Sequence, residues 1–244
     1  MFTLPENPKS IRIIGLIGWL YALIISCGLY AHFWVRASWI EVGRRFDFSG
    51  RIMIEEGPLR VSLAADLLMV LCDIVVAYLL FVLFISINRD IAKLAAIFRL
   101  VQSVILVVGI IWLLQLLLPS GSAANALDPL NISERQNQMR SVLQIHDYIY
   151  LIGGIFFGIS LTLLGRLFLD AVFVPDILAL LTILAGLSYM VDGFIFLLFP
   201  EYTLITETMV TFAALIAESL FCLWFLFIWL LGTLRGRGRT LNLP

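Results

Sequence analysis

The chain has 244 residues, of which 61% are hydrophobic and 14% are charged, and its mean hydropathy is +1.03. Soluble domains contain roughly 45–50% apolar and about 25% charged residues, so this composition excludes an ordinary soluble fold. The formal net charge of −1 and the lack of a basic stripe before the C-terminal arginines argue against a nucleic-acid partner.

Six apolar runs are long enough to cross a bilayer, because about 20 apolar residues span a hydrocarbon core of about 30 Å. We therefore predict an all-α, polytopic bundle of transmembrane helices that forms a single integral membrane domain over residues 1–244. The predicted spans are about 11–34, 61–86, 91–118, 143–166, 176–199 and 204–232.

The two longest connections differ in character. Residues 35–60 mix charged residues with tryptophan, phenylalanine and isoleucine, a pattern typical of a segment that lies on the membrane interface. Residues 119–142 are polar and moderately charged. We predict the first as an outer amphipathic loop and the second as an outer polar loop.

Topology follows from the lysines and arginines that flank the spans. An even number of spans places both termini on one side, and the compact, basic C-terminal tail favours the cytoplasm for that side. The basic residues on this side would be Lys9, Arg12, Arg89, Lys93, Arg166, Arg235, Arg237 and Arg239.

Two features of the apolar runs indicate close packing. Cys27, Cys72 and Cys222 all lie within such runs, where cysteine behaves as a small buried hydrophobe and not as half of a disulfide. Gly154 and Gly158 form a small-xxx-small pattern that lets helices approach closely, either within the bundle or in a dimer.

Polar residues inside the second and third spans predict an interior pair. Asp66 and Asp73 are seven residues apart, and Arg99 and Gln102 are three apart, so each pair shares a helical face. Ionisable groups at membrane depth normally face the protein interior and pair. Because a tight turn joins the two spans, we expect Asp73 near the midplane to meet Arg99 or Gln102 as a structural polar pair.

A second set of polar residues predicts a ligand site nearer the outer surface. Asp66, His146, Asp192 and Glu218 could line one outward-facing cavity and bind a cation or relay protons. Alternatively, His146 and Asp147 are ordinary helix-start residues in headgroup water. Since no metal-binding spacing such as His-Glu-x-x-His occurs, the sequence leaves both metal and cofactor unspecified.

Several motifs together resemble one family. They are Ala64–Asp73 (AADLLMVLCD), Phe98–Gln102 (FRLVQ), Phe156–Gly158 (FFG), Val174–Leu178 (VPDIL) and Ala185–Asp192 (AGLSYMVD). They resemble the bacterial "domain of unknown function 4386" family over residues 11–230. The resemblance implies about six helices in the bacterial cytoplasmic (inner) membrane and no known activity. Its characteristic positions correspond to Asp66, Asp73, Arg99, Gln102, His146 and Asp192.

Two positions depart from the pattern that this resemblance implies. Gln144 and His32 stand where acidic residues are expected. These departures weaken any assignment of His146 to a fixed catalytic pair.

Three functions fit the sequence. The first is a non-enzymatic protein, in contact with membrane lipids, that binds, senses or transports a small ligand or cation through an outward-facing polar interior. The second is an accessory subunit that docks on partner membrane subunits. The third is a metal-dependent intramembrane enzyme that uses Asp66, His146 and Glu218.

Overall fold

The computed structural model describes residues 4–5, 7–36, 56–117 and 129–240, and no strand occurs among them. The elements in chain order are α1 (Pro8–Leu29) with a π-helical extension (Tyr30–Arg36), α2 (Glu56–Phe84), α3 (Arg89–Leu113) with a 3-10 turn (Leu114–Leu117), α4 (Pro129–Leu169), α5 (Asp176–Leu198), a 3-10 turn (Pro200–Tyr202) and α6 (Thr203–Thr240).

The all-α prediction is confirmed, since six helices in the described part of the chain are long and apolar enough to cross a membrane. Local sequence explains several helix ends. Asn7 and Asn88 cap α1 and α3, with their Oδ1 atoms accepting hydrogen bonds from the amides of Lys9 and Ile91 at 2.9 and 3.1 Å. Pro200 follows the end of α5, because proline cannot continue a helix.

Three helices extend beyond the predicted spans. The helix α2 begins at Glu56, and α4 begins at Pro129, so the last part of each predicted loop is helical. The tail is helical as far as Thr240. Hydropathy detects only the apolar part of a helix, whereas 129–142 contains polar residues and, after Pro129 at its start, no glycine or proline. The rest of the predicted amphipathic loop, 37–55, lies outside the described residues.

The six helices form a closed ring. Each packs against the helix before and after it in the chain, and α6 packs back on α1. We call the end of the ring where α1 finishes and α2 begins the open end, and the opposite end, where α2 finishes and α3 begins, the closed end. A contact between helices that are not neighbours in this ring therefore crosses its interior.

Aromatic side chains fill the closed end of the interior. Phe84 of α2 packs on Phe168 of α4, with ring centroids 5.4 Å apart, and Phe168 packs on Phe221 and Phe225 of α6 at 5.5 and 6.0 Å. All four rings are buried. The outer surface of the ring instead exposes leucine, isoleucine and valine side chains along all six helices, as lipid contact requires.

Small residues bring neighbouring helices together. A Cβ placed on Gly186 of α5 would lie 2.5 Å from the carbonyl oxygen of Gly158 in α4, so only glycine fits. Gly154 is less constrained, because its nearest neighbour, Cδ1 of Tyr189, would be 3.5 Å away. The three cysteines are free and buried, as their positions in apolar runs predict.

Candidate ligand site inside the helix ring

The centre of the ring contains an ion pair. Arg99 of α3 donates hydrogen bonds from Nε and Nη2 to Oδ1 of Asp73 in α2, at 2.8 and 2.5 Å. Ser103, one turn after Arg99, donates from Oγ to Oδ2 of Asp73 at 2.8 Å. Arg99 is 1% exposed and Asp73 is 4% exposed. Because both charges are satisfied by each other, this pair is electrically neutral as a unit.

Arg99 also reaches across the ring. Its guanidinium carbon lies 5.1 Å from the ring centroid of Tyr21 in α1 and 5.0 Å from that of Phe157 in α4. A desolvated cation over an aromatic face gains about 2 kcal/mol. The interior therefore stabilises this cation with two aromatic rings as well as with a carboxylate.

Gln102 is not a partner in the central ion pair. Its buried Oε1 has no hydrogen-bond partner among the described residues. Ser103 and Tyr21 occupy the positions next to Arg99 instead. The spacing of four residues from Arg99 to Ser103 on one helical face could have indicated the serine, whereas nothing local in the sequence indicates Tyr21.

A second ion pair lies nearer the open end. Arg36, the last residue of the π-helical extension, donates from Nη1 and Nη2 to the two carboxylate oxygens of Asp66 in α2, at 2.5 and 3.3 Å. The residues are 6% and 3% exposed. The sequence places Arg36 beyond the first span, so this partner of Asp66 was not predicted. The π-helical extension carries it to the level of Asp66.

His146 lies in the interface between α3 and α4. It is 7% exposed, and its Cδ2 would be 3.4 Å from a Cβ on Gly109. Its Nδ1 has no hydrogen-bond partner among the described residues. The nearby Oδ1 of Asp147 is 3.6 Å away, which is too far for a hydrogen bond. Since α4 begins seventeen residues earlier, at Pro129, His146 is not a helix-start residue in this structure.

Asp192 is buried on α5, close to Thr206 of α6. Its Oδ1 has no hydrogen-bond partner in the part of the chain that the structure describes. Asp192 is therefore a buried carboxylate without a cationic partner in that part of the chain. Sequence periodicity did not indicate Thr206, because that residue lies at the start of another helix.

Glu218 lies in the middle of α6 and faces the interior. Tyr189 of α5 donates a hydrogen bond from its hydroxyl to Oε1 of Glu218, at 3.0 Å. No ion pair to Glu218 occurs among the described residues. It lies close enough to Arg99 and Asp73 to interact with their charges, but these two largely cancel each other.

Polar and aromatic side chains that stay exposed inside the ring indicate a space on the open-end side of Glu218. Tyr150 of α4 packs between His32, in the π-helical extension that follows α1, and His146, with ring centroids 6.5 and 6.3 Å apart. Because α1 and α4 are not neighbours in the ring, the contact with His32 crosses the interior. Tyr150 is nevertheless 44% exposed, and it lies close enough to Glu218 to interact with its charge.

On α6, Thr211 is exposed and shares a helical face with Glu218, seven residues later. We call this space the vestibule, with His32 and Tyr150 beside it and with Glu218 and Tyr189 as its floor. Helical register places Thr211 on the Glu218 face of α6, two turns nearer the open end.

Two small cavities lie on the closed-end side of Glu218. One is lined by Tyr21, Thr182, Glu218 and Phe221 among others, and the other by Arg99 and Ser160 among others. Each has a volume of about 10 Å³, which is about the minimum for one water molecule. Among the described residues, the space next to Glu218 on this side is therefore narrow.

The four predicted ligand residues lie in different surroundings. Asp66 pairs with Arg36, His146 packs on Gly109, Asp192 lies near Thr206, and Glu218 accepts a hydrogen bond from Tyr189. Among the described residues, no group of three or more histidine, cysteine, aspartate or glutamate side chains is arranged to hold a metal ion.

A comparison with protein-family models matches residues 16–229 to the Domain of unknown function (DUF4386). The chain belongs to this family. The resemblance seen in the sequence is thereby confirmed, and the matched region contains α2 to α5 and most of α1 and α6. Searches of the curated proteins and of the solved structures find no match.

The interior of this DUF4386 protein contains more carboxylates than arginines among the described residues. Four carboxylates lie inside the described ring, at Asp66, Asp73, Asp192 and Glu218, and only the first two have arginine partners. Carboxylates at membrane depth are costly unless a positive charge accompanies them. Of the two without such a partner, Glu218 lies at the floor of an accessible space. The protein is an integral, multi-pass membrane protein.

Proposed function

We propose that this protein binds a small cation inside the helix ring and that Glu218 is the charged contact. One observation carries the proposal. Among the described residues, Glu218 accepts one hydrogen bond, from Tyr189, and has no ion-pair partner, whereas the carboxylates of Asp66 and Asp73 are neutralised by arginines. A cation at Glu218 would offset the cost of a carboxylate at this depth.

The surrounding charges favour a cation over an anion. Among the described residues, the buried arginines Arg36 and Arg99 are each held by an aspartate at 2.5 Å. Asp192 adds a further carboxylate in the outer half of the ring. Within the described part of the chain, an anion would meet repulsion from Glu218 and Asp192 without a buried, unpaired arginine to compensate.

Closure of the ring beneath Glu218 favours reversible binding from one end. The packed rings of Phe84, Phe168 and Phe221 fill the described part of the closed end, so transport past them would require these rings to repack. With both termini in the cytoplasm of a bacterial inner membrane, as we propose, the vestibule opens to the outside. The protein would then sense or capture an external cation.

The experiment is thermal unfolding of the purified, detergent-solubilised protein with chloride salts of sodium, potassium and tetramethylammonium. A bound cation stabilises the folded state by about 2.7 kcal/mol when its concentration is 100 times the Kd. We expect at least one of these cations to raise the Tm of the unmodified protein and to have little effect on Glu218→Gln.

The matched control is Glu201→Gln, which makes the same chemical change at an exposed position at the open end. This variant should keep the full response. Equal responses of the unmodified protein and Glu218→Gln to every salt, with both proteins folded by circular dichroism, would contradict the proposal.

A further inference from the structure

We infer that the cation is an organic ammonium ion and that the aromatic rings around Glu218 bind its alkyl face. This inference rests on the cation-binding function proposed above and names the class of ligand. Three observations support it. They are the chemistry of the groups around Glu218, the contacts of Arg99 with aromatic rings in the same interior, and the space next to Glu218.

Oxygen ligands are scarce around Glu218. Hard metal ions require about six or more oxygen ligands at short distance. Besides the carboxylate, the described side chains offer the hydroxyl of Tyr189 and, from the lining of the small cavity, those of Tyr21 and Thr182. Thr182 already donates to the carbonyl oxygen of Leu178, at 2.8 Å, and the nearby backbone carbonyls belong to helices. A bare metal ion would be under-coordinated.

Aromatic rings, in contrast, surround the carboxylate. Tyr189 donates to it, and Tyr21 and Phe221 line the cavity beside it. Tyr150 lies above it with a partly exposed ring. A carboxylate among aromatic rings suits an ammonium ion that carries alkyl groups, because the rings attract the charge and contact the apolar surface.

Arg99 already shows this form of recognition within the ring. Its guanidinium lies between Tyr21 and Phe157 at 5.1 and 5.0 Å while Asp73 balances its charge. Arg99 thus occupies faces of Tyr21 and Phe157. The rings left for a ligand at Glu218 are those of Tyr189 and Tyr150, on the side of the vestibule.

Space limits how the ligand is placed. Below Glu218 the cavity of about 10 Å³ holds at most one water molecule. The alkyl groups must therefore point toward the open end, past Tyr150 and the exposed Thr211. A compact quaternary ammonium ion satisfies this requirement, since it needs no hydrogen-bond acceptor and gives up its weakly held water at low cost.

The test uses isothermal titration calorimetry of the purified full chain with tetramethylammonium chloride, and with sodium and potassium chloride in parallel. We expect heat of binding for tetramethylammonium, loss of binding in Glu218→Gln, and a roughly 3- to 30-fold weaker affinity in Tyr150→Leu. Tyr150→Phe keeps the ring and should stay within about twofold of the unmodified protein.

The outcomes separate the two proposals. Binding of sodium or potassium that depends on Glu218, without binding of tetramethylammonium, would overturn the organic-ammonium inference and leave cation binding at Glu218 intact. Unchanged affinity for tetramethylammonium in folded Tyr150→Leu would also overturn the inference. No Glu218-dependent binding of any of the three cations would overturn both. Far-ultraviolet circular dichroism and gel filtration establish that each variant is folded.

Discussion

Arg36 holds both carboxylate oxygens of Asp66, at 2.5 and 3.3 Å, in an ion pair that joins the end of the first span to the start of the second. Both residues are buried, so the pair ties α2 to the end of the π-helical extension near the open end of the ring. The charge of Asp66 is therefore neutralised by Arg36, so Asp66 has little net charge to offer a ligand.

Replacing one partner of this pair should lower the free energy of unfolding more than replacing both. We expect Asp66→Asn to lower the free energy of unfolding by about 3 kcal/mol, because it leaves Arg36 buried without a counter-charge. The double variant Arg36→Met with Asp66→Leu should recover most of that loss. Reversible chemical unfolding in mixed micelles measures both values, and equal losses in the single and double variants would contradict a buried pair.

The same Asp66→Asn variant also separates structure from binding. Because the charge at the floor of the vestibule belongs to Glu218, folded Asp66→Asn should keep the Glu218-dependent rise in Tm with the cation. Loss of that rise in a folded protein would assign the binding charge to Asp66 instead.

Two adjacent residues of α3 should respond in opposite ways. Ser103→Ala removes a hydrogen bond to Asp73 and should lower the free energy of unfolding by about 1–2 kcal/mol. Gln102→Leu removes a buried oxygen that has no partner among the described residues, so we expect no loss or a small gain in stability. Unfolding under identical conditions compares them. A larger loss for Gln102→Leu than for Ser103→Ala would reverse the assignment.

The α4–α5 interface should tolerate a methyl group at one glycine and not at another. In Gly186→Ala the new Cβ would lie 2.5 Å from the Gly158 carbonyl oxygen, so the helices must separate at a cost of about 1–3 kcal/mol. Gly154→Ala makes the same change on the facing helix with its nearest contact at 3.5 Å. It should be neutral or slightly stabilising. Similar Tm values for the two variants would contradict this packing.

The vestibule predicts a pattern of cysteine reactivity toward a charged, membrane-impermeant methanethiosulfonate reagent. Thr211→Cys should react, because Thr211 lies on the face of α6 that leads to Glu218. Val104→Cys, at a position 65% exposed on the lipid-facing surface of α3, should not react, because the reagent stays in water. The native cysteines are buried and provide a low background. A Thr211→Cys variant as unreactive as Val104→Cys would show that no aqueous vestibule exists there.

Sequence periodicity predicted contacts well where two helices are joined by a short turn. The tight turn at Asn88 fixes the relative height of α2 and α3, so Asp73 and Arg99 were placed within reach by counting residues. The same counting missed Arg36, because the position of Arg36 depends on a π-helical extension. Apolar composition gives no sign of that change in helical pitch.

The sequence by itself determined the number and approximate position of the membrane-spanning helices, because length and hydropathy are local properties of each segment. Only the tertiary structure decided which polar residues meet. A membrane helix is apolar toward lipid and toward its neighbours alike, so periodicity does not fix its rotation. Packing of each helix against its two neighbours in the ring determined its rotation. It divided Asp66, His146, Asp192 and Glu218 among separate surroundings and placed Glu218 with Tyr189, beneath Tyr150, at the floor of the vestibule.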